Sequence, residues 1–258
     1  MRFLLLLWLL PLQAFQIDRA ILSTNDNPLY IEFWPVVAPI WTAMGIRPTL
    51  ALIGDEKCTV DESLGDVIRF APIPGVTPAL QTQTIRLFLP ALFPDDVCLI
   101  SDIDMIPISR DYFQEGALQC PDNGFLVYRD KIEDYWANKY PMCYVAAKGD
   151  IFGSIFDINT IEDINDRIIE WSSYGYGWNT DELLLYEYVN NWEQDEGLVV
   201  RLGHGLMSRL DRGSWTFQLN NLDIFSYIDC HCPRPYTFYK KSIDYIANAI
   251  LQYYNSEN

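Results

Sequence analysis

Asp96-Val97-Cys98-Leu99-Ile100-Ser101-Asp102-Ile103-Asp104-Met105-Ile106-Pro107 is the stretch on which the reading of this chain turns. Its first part, Val97 to Ser101, is a short apolar run set off by Asp95-Asp96, the pattern of a strand buried on both faces. Its second part places two carboxylates two residues apart, directly after that run. Alternate residues of an extended chain point the same way, so Asp102 and Asp104 are expected to face one small volume. Two buried like charges are costly unless something cationic sits between them. A divalent ion meets that demand. Hard oxygen ligands suit Mn²⁺ or Mg²⁺, which keep positions open for phosphates. A structural Ca²⁺ would need six or more oxygens, and only two converge here.

Outward from this stretch, strand-like and helix-like segments alternate. Arg19 to Thr24 reads as a strand ending in the polar turn Asn25-Asp26-Asn27-Pro28. Tyr30 to Met44 carries apolar residues at helical spacing, interrupted by Pro35 and Pro39 and closed by Gly45. Thr49 to Ile53 and Val67 to Ala71 are further apolar runs, and Thr82 to Phe93 reads as a helix. Later, Phe125 to Tyr128, Met142 to Ala147 and Leu198 to Leu202 read as strands. Helices are expected around Asp163 to Ile169, over Asp181 to Trp192 with Asn179 or Thr180 as cap, and over Ser242 to Tyr254. Continuous apolar runs separated by helices predict an α/β fold with a mostly parallel central sheet and helices on both faces. Such sheets bind ligands beyond the carboxyl ends of their strands. No Pro/Gly/Ser linker or internal repeat divides the chain, so residues 15–258 are read as a single domain.

Of the 258 residues, 50% are hydrophobic, enough to bury a sizeable core and to exclude wholesale disorder. Acidic residues number 35 against 18 basic ones, a formal net charge of −17. A body this negative repels a phosphate backbone, so sequence-independent nucleic-acid binding is excluded as a function class.

The chain resembles the nucleotide-sugar-dependent glycosyltransferases of the GT-A fold. The resemblance rests on Gln83-x-x-Arg86-Leu87-Phe88-Leu89-Pro90 followed by Asp96 to Asp104, which is similar to the core of glycogenin-like and lipopolysaccharide-galactosyltransferase-like enzymes. It is specific over roughly residues 81–107, diffuse over 19–80 and thin beyond 150. Ser101 replaces the usual Leu or Met without touching the carboxylates. The resemblance implies a metal on Asp102 and Asp104 that bridges the diphosphate of a sugar donor, expected to be a UDP-sugar. It places Ser23, Thr24 and Asn25 by the nucleoside and Arg86 near the donor sugar or diphosphate. It also implies a glycan, glycoprotein or glycolipid acceptor.

Further along, Gly177-Trp178-Asn179-Thr180-Asp181-Glu182 puts two carboxylates at an expected helix start, where the helix dipole favours their ionised form. Asp181 or Glu182 is a candidate to orient an acceptor hydroxyl or take its proton. The preceding Trp171 to Trp178 is glycine-jointed and aromatic-rich, as a sugar-contacting loop would be. Only two histidines exist, and the resemblance implies a third metal ligand from the C-terminal part. His231 and His204 both qualify, His231 being preferred. Arg209-Leu210-Asp211-Arg212 spaces its arginines for one helical face, where they could grip a diphosphate.

Met1-Arg2, the apolar run Phe3 to Leu12 and the small residue Ala14 have the layout of a secretory signal peptide over residues 1–14. The run is too short for a membrane span, and export or entry to the secretory lumen is expected. Six cysteines fit an oxidising compartment, although Cys98 reads as a small buried hydrophobe. A sugar-nucleotide pyrophosphorylase is excluded because no glycine-rich basic loop follows the first strand. A catalytically silent relative that binds sugar or assists assembly is the alternative to an enzyme.

Overall fold

The computed structural model describes residues 15–130, 138–204, 208–215 and 221–257. In chain order the first half gives β1 (Arg19–Asn25), α1 (Pro28–Ile31), α2 (Trp34–Ala43), β2 (Arg47–Ile53), β3 (Asp66–Phe70), α3 (Pro78–Phe88), β4 (Val97–Ile100) and β5 (Met105–Pro107). Then follow α4 (Arg110–Ala117), β6 (Gly124–Val127), β7 (Val145–Lys148), α5 (Gly149–Phe156), α6 (Ile161–Ser173) and α7 (Thr180–Gln194). The described chain closes with β8 (Leu198–Arg201), β9 (Arg209–Leu210), β10 (Asp229–His231) and α8 (Tyr236–Glu257). Seven strands make one sheet in the order β3-β2-β1-β4-β7-β6-β8. All its pairings are parallel except the two made by β7, which runs against both β4 and β6.

Alternation along the strands explains why both faces are covered. In β1, Ala20 and Leu22 face one apolar core while Ile21 faces the other; in β4, Leu99 and Ile100 divide in the same way. The first core packs α2, α4 and α8 through Trp41, Phe113 and Ile246. The second packs α3, α5, α6 and α7 through Phe88, Phe152, Trp171 and Leu185. Strands buried on both sides read as unbroken apolar runs, which is why Val97 to Ile100 was legible as one.

Several boundaries differ from expectation for local reasons. The helix expected at Thr82 begins at Pro78, because the Thr77 hydroxyl accepts the Leu80 amide at 3.3 Å and proline suits the first turn. It stops at Phe88, where Pro90 turns the chain into a 3₁₀ segment over Leu89–Leu92. The terminal helix begins at Tyr236, directly after Pro235, rather than at Ser242. Asn179 stands at the start of α7 but makes no side-chain cap, and the Thr180 hydroxyl donates back to the Gly177 carbonyl at 2.8 Å. The helices α4 and α5 were not anticipated. Nor was a second sheet, β5-β10-β9. Residues 1–14, read as a signal peptide, lie outside the described residues. Among the described residues no helix is long and apolar enough to cross a membrane. All six cysteines are buried free thiols, Cys230 and Cys232 approaching to 3.9 Å between sulfurs.

Gly149 marks the tightest junction. A β-carbon there would meet the carbonyl oxygens of Pro90 and Phe93 well inside van der Waals contact, because β7 turns into α5 directly against the end of α3. Gly149→Ala is expected to cost about 2 kcal/mol or more in urea unfolding, and a change below about 0.5 kcal/mol would contradict this packing.

Candidate active site

Parallel strands β1 and β4 end on the same edge of the sheet, and a cavity of about 550 Å³ opens there. Ser23 and Asn25 reach it from the end of β1, and Asp102 and Asp104 from the turn after β4. Helix α3 adds Gln83 and Arg86, the start of α7 adds Asp181 and Glu182, and the small sheet with its flanks adds Arg209, Arg212, His231 and Arg234. The topology therefore brings six separate stretches of sequence to one place.

The Asp102–Asp104 segment is a turn rather than an extended strand: the Met105 amide bonds back to the Asp102 carbonyl at 3.2 Å. Both carboxylates still line the cavity, each with its own cations. Asp102 pairs with Arg86, whose other nitrogen is 3.3 Å from Asp181. Burial works against the Arg86 charge, but Asp102 and Asp181 outweigh it and hold its pKa above the ordinary value. Burial likewise opposes ionisation of Asp102, and Arg86 overcomes it, leaving the carboxyl below its usual range. Asp104 is 4% exposed and faces Arg234 at 3.4 Å, Arg212 at 3.5 Å and the His231 Nε2 at 3.7 Å. Its neighbour Ser101 is fully buried, so the departure from the usual Leu or Met leaves the turn intact.

Asp181, with Glu182 beside it, joins the carboxylate turn through the shared Arg86. Burial pushes Asp181 up to about 6, with Arg86 pulling the other way. Glu182 is raised further, to about 8, by burial and then by the neighbouring Asp181 and Asp102 charges. Two carboxyls with separated affinities for a proton, side by side in a cleft, are equipped for acid–base work.

His231 is the histidine that the fold brings to Asp104. Its Nδ1 lies 3.1 Å from Asp211, which orients the ring and leaves Nε2 toward Asp104, the arrangement of an imidazole with a supporting carboxylate. Burial would lower the His231 pKa, but Asp104 holds it above the ordinary value. His204 does not line the cavity; its ring lies over Tyr112 with Nδ1 3.4 Å from the hydroxyl.

Two expectations are corrected. Thr24 is fully buried and turned away from the cavity that Ser23 and Asn25 line, as strand alternation requires. Arg209 to Arg212 is not a helix: Arg209 belongs to β9 and Arg212 to a short 3₁₀ turn. Both arginines line the cavity, but Arg209 is locked in a two-point bond to buried Asp229, at 2.9 Å for each nitrogen. Asn27 and Tyr30 at the cavity's β1 end, and Arg234 lying 4.5 Å over the Tyr30 ring, were not assigned to the site from sequence. The turn signal Asn25-Asp26-Asn27-Pro28 was the available pointer to the first of these.

Two carboxylates and an imidazole are donors that Mn²⁺ accepts, and the Asp211 support of His231 fits that use. As placed, with Asp102 on Arg86 and Asp104 on Arg212 and Arg234, no group of three such side chains among the described residues is closed around a metal position.

No family model and no curated protein matches the chain. Solved structures do. A galactosyltransferase, LgtC, in complex with donor and acceptor sugar analogs, superposes with a TM-score of 0.52 at 12% identity, over 90% of this chain and 95% of that one. The chain has the GT-A fold. An active-site mutant of LgtC gives a TM-score of 0.53 at 13% identity, with the same coverage of both chains. The glycosyltransferase GlyE of Streptococcus pneumoniae TIGR4 gives 0.50 at 14% identity, over 93% of this chain and 64% of GlyE. The GT-A assignment accounts for the position of the cavity, at the carboxyl edge of the sheet where β1 and β4 end side by side.

The raised carboxyls have a measurable consequence. A carboxyl whose affinity for a proton is higher in the folded state stabilises the fold at low pH, and that contribution is lost as pH rises through the folded value. For Asp181 and Glu182 the window runs from the ordinary carboxylate range to about 8. Glu182→Gln is expected to raise stability at pH 8 by about 1 kcal/mol or more relative to pH 5, read as urea midpoints. Equal effects at both pH values would contradict the assignment.

Proposed function

We propose that the protein is a metal-dependent glycosyltransferase that moves a sugar from a nucleoside-diphosphate donor, a UDP-sugar, to an acceptor hydroxyl. The observation that carries this reading is the convergence in one cavity of Asp102 and Asp104, a set of arginines, and two carboxyls of raised pKa.

Asn25 and Asn27 are placed to contact the nucleoside. The Asn25 Oδ1 accepts the Asn27 amide at 3.2 Å and the Asn27 Oδ1 accepts the Leu29 amide at 3.0 Å. Both residues line the cavity where the resemblance places the nucleoside, and these bonds fix their side chains there. Arg212 and Arg234 stand where they can hold the diphosphate oxygens and stabilise the leaving group as charge develops. Asp102 and Asp104, with His231, would hold Mn²⁺, which when bound supplies charge neutralisation to the departing diphosphate. The acceptor oxygen bonds to the anomeric carbon as the bond to the diphosphate breaks, and its proton passes to Asp181 or Glu182. Below pH 8 Glu182 holds a proton and Asp181 is the readier acceptor. A secretory location, from the segment over residues 1–14, belongs to the same reading.

Thermal unfolding with UDP, GDP and ADP, each with Mn²⁺ or with EDTA, tests it. A ligand that binds only the folded state raises the melting temperature. UDP with Mn²⁺ is expected to give the largest rise, by several degrees at saturation, and Asp104→Asn is expected to abolish it. No rise with any nucleotide would overturn the donor site. Metal-independent glycan binding in that case would favour a silent sugar-binding module.

A further inference from the structure

The loop between α6 and α7 leaves three large aromatic side chains in solvent within five residues. Trp178 is 66% exposed, Tyr176 47% and Tyr174 43%. The Tyr174 and Tyr176 rings lie 6.0 Å apart. Single exposed apolar side chains are ordinary, but a cluster this dense costs free energy in water and marks a contact surface. It is also held in shape. Gly175 and Gly177 take φ of +73° and +64°, values that L-residues with side chains rarely adopt. The Trp178 carbonyl accepts Gln83 Nε2 at 3.3 Å, and the Gly177 carbonyl accepts the Thr180 hydroxyl at 2.8 Å. Trp178 lines the cavity, and Asp181 and Glu182 follow it by three and four residues. The aromatic surface is thus continuous with the wall that carries the raised carboxyls.

From these observations we infer that residues 174–178 form a binding platform for a neutral oligosaccharide acceptor at least two sugar units long. The inference rests on the glycosyltransferase reading above. Aromatic faces pack against the C–H faces of sugar rings, and the Tyr174 hydroxyl, which donates to Glu170, fixes its ring in place. Trp178 lines the cavity while Tyr174 and Tyr176 lie outside its lining, so the aromatic surface extends past the reacting sugar to the ring beyond it. Neutral chemistry follows from charge: the chain carries a formal net charge of −17, so an anionic glycan or an anionic membrane surface is disfavoured.

The test is titration of the full chain with size series of neutral glucose-, galactose- and N-acetyllactosamine-containing oligosaccharides, followed by tryptophan fluorescence. One sialylated series serves for comparison, and UDP with Mn²⁺ is run in parallel by thermal unfolding. At least one neutral series is expected to bind about tenfold tighter as a trisaccharide than as a monosaccharide. Tyr176→Ala and Trp178→Ala are expected to remove that gain, and Trp178→Phe to keep most of it. Tyr176, which does not line the cavity, is expected to leave the UDP-dependent rise unchanged when replaced by Ala. Affinity independent of glycan length, no loss in the alanine variants, or preference for the sialylated series would overturn the platform. So would a wild-type chain that binds UDP but no oligosaccharide. A chain that fails to bind UDP as well overturns the parent reading instead.

Discussion

Arg86 is the interaction on which the site depends. Its guanidinium, nearly buried, joins three elements that are distant in sequence: α3, the turn after β4 and the first turn of α7. A buried arginine is costly unless carboxylates satisfy it, and here Asp102 and Asp181 both do. The same contacts set the protonation of the cleft. Asp102, paired closely with Arg86, stays ionised, while Asp181 shares that cation at a longer distance and is left raised. Glu182 is raised furthest, by burial and then by the Asp181 and Asp102 charges, which outweigh the pull of Lys139 and Arg86. Burial pushes all three neighbouring carboxyls up, and their unequal contact with Arg86 helps to set them apart.

The wall formed by the small sheet solves the same electrostatic problem. Strand β10 runs antiparallel to β5, which follows the carboxylate turn directly, and this brings His231 beside Asp104. Arg212 and Arg234 complete a shell of cations around a carboxylate that is almost fully buried. In the proposed reaction an incoming diphosphate would compete for those guanidinium groups and would free carboxylate oxygens for a divalent ion. Arg209, tied to Asp229 together with Arg129, serves as the fixed base beneath that wall.

How far the sequence revealed this follows from where the constraints are local. The apolar runs at Arg19 to Thr24, Thr49 to Ile53 and Val97 to Ser101 became β1, β2 and β4, because strands buried on both faces must be apolar at every position. The carboxylate pair and Arg86 were legible because their motif is contiguous with one of those strands. The reversed strand β7, the small sheet and the helices α4 and α5 were not, since pairing across long separations leaves no periodic mark. The spacing of Arg209 and Arg212 suggested a helix, but β9 is held by pairing with β10, a partner twenty residues away. Thr24 shows the limit of a motif read without strand register: it follows Ser23 in sequence and points to the other face. Of the two histidines, only the fold could separate His231 from His204.

The central claim is that Asp102 and Asp104 exchange arginine for a metal-bridged nucleotide. Crystals grown with UDP and Mn²⁺, with an anomalous difference map collected at the manganese edge, test it most directly. The account predicts one anomalous peak bonded to Asp102 and Asp104 oxygens, His231 Nε2 in the same shell, and the diphosphate on Arg212 and Arg234. Nucleotide bound with no anomalous peak there, and Arg86, Arg212 and Arg234 still on their carboxylates, would contradict it.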